Sequence, residues 1–282
     1  MELFLDCLPC LLKQVLEASR MVKADEELQT EIMTDAVSIL SKHKEYRCAP
    51  KLAEALHGTV KKRTGVEDPY GEIKSRDILS ALSLEPLIQD YFSEGRDRLL
   101  QALKISATGN VMDAALYSNL NLASCLKAEL EIPFAVCDRD KLEKKLETAK
   151  MILILGDNAG EVVFDKILVA QFAKDYEVLF AVREGAIIND ATADDARRAG
   201  MDRFAKIIST GCKSPGAVPE DFSPEFKEIF DIADVVISKG QGNYEALSDS
   251  SRDIYFLLKA KCPKIAKALG VQVGEYVFKY IK

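Results

Sequence analysis

Apolar residues recur at spacings of three and four along the first half of the chain, and the spacing changes near residue 150. Leu5, Leu8, Leu12, Val15 and Leu16 share one helical face. Segments 31–40 and 51–60 follow the same rule, and 65–70 gathers Gly, Asp and Pro into a loop. Further helices are predicted over about 76–92 and 96–106, with Thr108-Gly-Asn110 as the turn before the next one. No alternating run of β-branched residues stands out before Ile132. From Met151 the pattern is different. Met151-Ile-Leu-Ile-Leu155 is short and fully apolar, the mark of a parallel strand buried on both faces. Strands are predicted over 151–155, 177–182, 206–209, 234–238 and 254–258, with an edge strand over 275–280. Helices over 161–174, 189–200 and 224–230 lie between them, and Gly200 ends the second. Strands alternating with helices imply crossover units and an open sheet covered on both faces. The fold class is therefore α/β. Residues 149–282 are predicted to form a three-layer α/β/α domain with a mostly parallel sheet. Residues 1–148 form an all-helical N-terminal domain. The boundary is soft by several residues and leaves room for one shared core.

Composition narrows the function. The chain has 282 residues and a formal net charge of −7 (38 Lys+Arg against 45 Asp+Glu). A chain of this length buries a sizeable core without staples. The acid excess argues against nucleic acid, whose phosphates are met by clustered Lys and Arg. A phosphorylated small molecule stays open, provided a local cation offsets the negative field. No apolar run approaches the ~20 residues that span a bilayer. Glu2 and Asp6 stand where an export signal would be basic. Seven cysteines spread along the chain suit a reducing, cytoplasmic location. The oligomeric state is not legible.

In open α/β sheets ligands bind beyond the carboxyl ends of the strands. Four predicted strand ends carry Gly together with Asp, Asn or Lys. The first leads into Gly156-Asp157-Asn158-Ala159-Gly160-Glu161 and the second into Arg183, Asn189, Asp190 and Thr192. The third leads into Thr210 to Gly216, and the fourth into Lys239-Gly-Gln-Gly-Asn243. Asp157, Asn158 and Asp190 supply the oxygens that hard cations prefer. Gly156 and Gly160 let a ligand approach the backbone, and the helix from Glu161 turns its positive end to the same spot. Lys239 would add a point charge for a phosphate oxygen. Each residue has a plainer reading as well. Asp157-Asn158 and Asp190 could cap helices, and Lys239 could be a solvated loop lysine.

Other chemistries fit less well. The dinucleotide fingerprint, the P-loop and the Gly-x-Ser-x-Gly elbow are absent. The only histidines are His43 and His57, which tightly constrain a zinc hydrolase. Cys7-Leu-Pro-Cys10, with Cys48 and His57, could bind zinc, but a second C-x-x-C is missing. Packing of these cysteines in the core is the preferred reading, and Cys125, Cys137 and Cys262 also read as core.

Taken together, these motifs resemble the damage-control phosphatases, formerly domain of unknown function 89. The likeness rests on Gly156-Asp-Asn-Ala-Gly-Glu161 followed by Phe164-Asp165, and on Cys7-x-x-Cys10, Asp68-Pro-Tyr70 with Lys74, Gly109-Asn110 with Asp113, Asn189-Asp-Ala-Thr192, and Lys239-Gly-x-Gly-Asn243-Tyr244. The cysteine pair resembles the mainly prokaryotic branch. The resemblance implies a metal-dependent phosphatase with Asp157, Asn158 and Asp190 as metal ligands. It also implies that Lys239, Asn243, Asn110 and Asp113 face the phosphate or the rest of the substrate. Family members carry Ser-Asp-Thr where this chain has Asn189-Asp190-Ala-Thr192, so the place of Thr192 is open.

The expected reaction is hydrolysis of a small phosphomonoester by metal-activated water: a sugar phosphate, a nucleotide or a damaged phosphorylated cofactor. The cofactor is a divalent metal, Mn²⁺, Mg²⁺, Co²⁺ or Ni²⁺. The catalytic set is Asp157, Asn158, Asp190 and Lys239. Substrate contacts are expected from Asn110, Asp113, Gly160, Glu161, Arg183 and Asn243. Asp157 acting instead as a covalent nucleophile would compete with its own metal ligation. Two alternatives remain at this stage. One is a carboxyl methyltransferase using S-adenosylmethionine, a claim attached to a eukaryotic relative. The other is a binding protein that holds a phospho-metabolite without turning it over.

Overall fold

A computed structural model describes residues 1–109 and 122–282. The chain opens with α1 (Cys7–Met21), α2 (Glu26–Leu40) and α3 (Ala49–Thr64), which pack around Val15, Ile32, Leu52 and Leu56. Asp25 caps α2 by accepting from the Leu28 amide at 2.9 Å. Gly65, at φ 71°, ends α3 in the left-handed conformation that suits glycine. Next come α4 (Gly71–Ser83), α5 (Glu85–Glu94) and α6 (Arg98–Gly109). The predicted single helix over 76–92 is thus two. Pro86 sits in the first turn of α5, where its missing N–H costs nothing, and the chain turns at Leu84.

The helical reading of residues 1–148 also misses a strand. After α7 (Leu122–Glu131) the chain forms β1 (Phe134–Cys137), then α8 (Arg139–Leu146). Only four residues long, β1 is too short for alternation to be read from sequence. The remaining elements are β2 (Met151–Leu155), α9 (Glu161–Phe172), β3 (Glu177–Val182), α10 (Ala193–Arg198), β4 (Lys206–Ser209), α11 (Pro224–Ile232), β5 (Val235–Lys239), α12 (Gln241–Leu247), β6 (Ile254–Lys259), α13 (Pro263–Leu269) and β7 (Tyr276–Ile281). Together the strands form one sheet among the described residues, in the order β1-β7-β6-β5-β2-β3-β4. Every pairing is parallel except β6 with β7. The strand expected at the edge, β7, is instead interior, because β1 covers it.

The apolar run of β2 divides between the two faces of the sheet. Ile152 and Ile154 join a buried cluster with Phe164 of α9, Leu103 of α6, Ile78 of α4 and Leu142 of α8. Leu153 and Leu155 join the opposite cluster, with Phe226, Leu247 and Ile265. Each such side chain contributes about 1.5–3 kcal/mol by leaving water. The first cluster runs unbroken across residue 148, so the helices before the sheet and the sheet itself share one core.

Candidate functional site

The sheet order sets the position of the site. The chain proceeds from β2 outward to β3 and β4, then returns to place β5 on the other side of β2. Such a reversal opens a crevice at the carboxyl ends of the central strands. Two loops meet there. The Ala159 amide donates to the Asn189 carbonyl at 2.9 Å, and the Ala191 amide to the Asp157 carbonyl at 2.8 Å. These bonds bring Asp157, Asn158 and Asp190 together from separate strand ends. Ile188, two residues before Asp190, holds φ at 44°, an unusual value for a β-branched residue.

The capping alternative does not describe these residues. Gly160 begins α9 without a side-chain cap bond. Helix α10 is capped by Thr192, which forms a capping box with Asp195. Thr192 thus finds its place after the extra alanine as a structural cap. Asp195 is further fixed by Lys74, whose Nζ lies 2.8 Å away.

A cleft of about 470 Å³ opens over the trio, lined by Asp157, Asn158 and Asp190 together with Asn189 and Tyr70. Burial pushes the Asp157 carboxyl well above its ordinary range, and the charges of Glu161 and Asp190 push it further. Burial also raises Asp190, against the pull of Arg183. Asn158 donates its Nδ2 to Glu161 Oε1 at 2.9 Å. A carboxylate only accepts, so the amide nitrogen must face Glu161, which turns Oδ1 toward any ligand. No three His, Cys, Asp or Glu side chains among the described residues stand together as a metal cluster. The donor set here is two carboxylates and an amide oxygen. Two neighbouring buried carboxyls driven toward their neutral forms are what a divalent cation would relieve, so the residues fit an oxygen-liganded metal.

Beneath the trio lies a second layer. Arg183, buried, donates from Nε to Asp190 Oδ2 at 2.7 Å and from Nη2 to Asn243 Oδ1 at 2.8 Å. Asn243 also accepts from the Ala217 amide and donates to the carbonyls of Gly156 and Lys239. Both its donors and its acceptor oxygen are therefore engaged within the protein. Lys239 is fully buried, neither a solvated loop lysine nor an open anion donor. Its ammonium contacts the Ser106 carbonyl at 3.1 Å, Glu161 Oε2 at 3.2 Å and Asp165 Oδ1 at 2.6 Å. Burial alone would lower its pKa, but the charges of Asp165 and Glu161 outweigh it and hold the lysine protonated.

The residues expected from sequence therefore separate. Asp157, Asn158 and Asp190 face the cleft, whereas Glu161, Arg183, Lys239 and Asn243 support them from below. Gly160 sits where α9 meets α4, and a side chain there would approach Asp77 to 3.2 Å. Asn110 and Asp113 lie outside the described residues. Two contributors escaped the expected set. Asp165 lies one helical turn after Glu161, and Gly240 packs directly on the Asp157 carboxylate. The four side chains weighed for zinc, Cys7, Cys10, Cys48 and His57, do not assemble. Cys48 is buried in the core, and His57 is buried beside Tyr70, with its pKa lowered to about 4 by burial. Cys10 and Cys137 are exposed rather than core.

Fold and site define a three-layer α/β protein with two buried carboxyls and an amide gathered at the switch point of its parallel sheet. The chain belongs to the damage-control phosphatase family, matching the Damage-control phosphatase ARMT1-like domain over residues 3–277. It is 34% identical over 282 residues to a damage-control phosphatase of Pyrococcus horikoshii, covering 98% of this chain and 97% of that one. A damage-control phosphatase of Archaeoglobus fulgidus is 33% identical over 286 residues, covering 98% of both. The crystal structure of a DUF89 family protein from Pyrococcus horikoshii superposes with a TM-score of 0.92, at 32% identity and full coverage of both chains. The chain is accordingly a phosphatase, and the methyltransferase reading is not favoured.

Proposed function

We propose that the chain releases phosphate from the phosphomonoester of a small metabolite, with Asp157, Asn158 and Asp190 holding the divalent cation. Sugar phosphates, nucleotides and damaged phosphorylated cofactors are the substrate classes to test. The observation that carries this reading is the cleft-facing oxygen trio, whose buried carboxyls a divalent cation would hold ionised. When bound, the metal supplies Lewis-acid polarisation of the phosphoryl group and neutralises its charge.

The protein's own part is orientation. Arg183 holds Asp190, Glu161 holds the Asn158 amide, and Lys239 with Asp165 locks Glu161. Lys239 and Asn243 are positioning residues in this reading, because their hydrogen-bonding groups are already engaged. Seven free cysteines support a reducing, cytoplasmic location, and no described helix is long and apolar enough to cross a membrane.

The test is phosphate release across those substrate classes with Mn²⁺, Mg²⁺, Co²⁺ or Ni²⁺, each with a chelator control. Asp157→Asn is expected to cut turnover by at least about a hundredfold and to weaken metal binding. A variant that keeps both would overturn the assignment.

A further inference from the structure

The cleft has a second wall that the oxygen site does not use. Cys7 stands at the start of α1 and Cys10 one turn later. Cys262 arrives from the far end of the chain and caps α13. All three line the cleft, as does Glu245 of α12. Two of the four share a hydrogen-bond partner. Gln241 Nε2 lies 3.7 Å from Cys262 Sγ and 3.0 Å from Glu245 Oε1, bridging the two. Gln14 Nε2 lies 4.0 Å from Cys10 Sγ. Cys48 and Cys212, by contrast, are buried in the core, and Cys137 opens on a different pocket.

We propose that Cys7, Cys10 and Cys262, with Glu245 as fourth ligand, form a second metal site in the cleft wall for a thiophilic divalent cation such as Zn²⁺. Three sulfurs and one carboxylate are the soft, four-ligand set that tetrahedral zinc takes. The alternative for a C-x-x-C pair is a reactive dithiol, which needs depressed thiol pKa values. Here burial raises Cys7 and Cys10, and the charges of Glu245 and Cys262 raise both further. Anions crowded in this way are stabilised by a cation between them. Binding would expel the thiol protons to solvent and exchange them for metal–sulfur bonds. Lys261 and Lys264 line the same wall and offset the excess negative charge. The ligands do not yet stand at coordination spacing. Capture of an ion therefore requires the thiols to turn about their single χ1 bonds, which the partly exposed Cys7, Cys10 and Cys262 can do.

The experiment is a Co²⁺ titration of the reduced, chelator-treated full chain, followed by near-ultraviolet absorption. Thiolate-to-cobalt charge transfer reports sulfur ligation and is silent for an oxygen site. One equivalent of Co²⁺ giving this band, displaced by Zn²⁺, is expected. Cys7→Ser, Cys10→Ser and Cys262→Ser should each weaken that equivalent by at least about tenfold, since even outer-shell changes cost 10–100-fold. Cys48→Ser should leave it unchanged. Asp157→Asn should keep the band, which separates this site from the phosphatase site. Absence of the band in the unmodified chain, or an undiminished band in Cys262→Ser, would overturn the proposal.

Discussion

Gly240 offers the sharpest probe of the proposed oxygen site without replacing any of its three residues. It sits between β5 and α12 at φ 78° and ψ 169°, a region that only glycine occupies without strain. A Cβ at this position would lie 1.9 Å from Asp157 Oδ2, whereas ordinary contact begins at 3.4 Å. Gly240→Ala therefore drives the carboxylate back by about 1.5 Å (3.4 − 1.9), or forces the backbone to move instead. A misplacement of about 1 Å can cost about a hundredfold in rate, and that is the expected loss of metal-dependent phosphate release. The backbone strain adds about 1–3 kcal/mol of destabilisation. Thermal unfolding should fall by about 2–4 °C for each kcal/mol. Gly270→Ala is the control, because Gly270 also has positive φ but nothing lies within 4 Å of its added Cβ. It should lose stability and keep activity. The reasoning is refuted if Gly240→Ala keeps turnover within about threefold of the parent, a change worth under about 1 kcal/mol of barrier.

The supporting layer makes further predictions. Lys239→Ala strands Glu161 and Asp165 as buried acids, and should cost about 3–5 kcal/mol in denaturant unfolding. A loss below about 1 kcal/mol would show that the ion pairs are not needed. Arg183→Lys cannot hold Asp190 and Asn243 at once, so metal affinity measured by titration should fall about 10–100-fold; unchanged affinity would remove Arg183 from the support. Burial raises Glu245 from 4.5 to about 7, so the folded chain holds this proton more tightly than the unfolded one does. Its contribution is fully present below about pH 4.5 and is lost as pH rises through about 7. Glu245→Gln should flatten that slope in unfolding measured from pH 4 to 8, and an identical profile would contradict it.

The central strands were legible because each is a short apolar run closed by glycine or a polar residue, as Met151 to Leu155 shows. That Asp157, Asn158 and Asp190 meet at one cleft was legible because topology fixes where strand ends lead. What failed was anything that depends on a partner distant in sequence. Lys239 reads as an open charge after a strand. Only the fold reveals that Glu161 and Asp165, one helical turn apart on α9, both reach its ammonium. Asn243 reads as part of a glycine-rich loop, yet a helix begins at Gln241 and buries it. Cys262 carries no spacing signal toward Cys7 and Cys10, since the sheet and the first helix bring them to one wall. Strand β1 was missed because four residues beside a longer pattern are not separable from a loop.

The core that runs unbroken across residue 148 bears on how this architecture can vary. Leu103, Ile105 and Leu126 complete the covering of the sheet face that also carries Ile152 and Ile154. Residues 149–282 expressed alone would show that face to water and would aggregate rather than work as a minimal enzyme. For the same reason the helices cannot be exchanged as an interchangeable specificity cassette. New substrates must come from substitutions along the cleft, because grafting a different cap would unmake the floor it stands on.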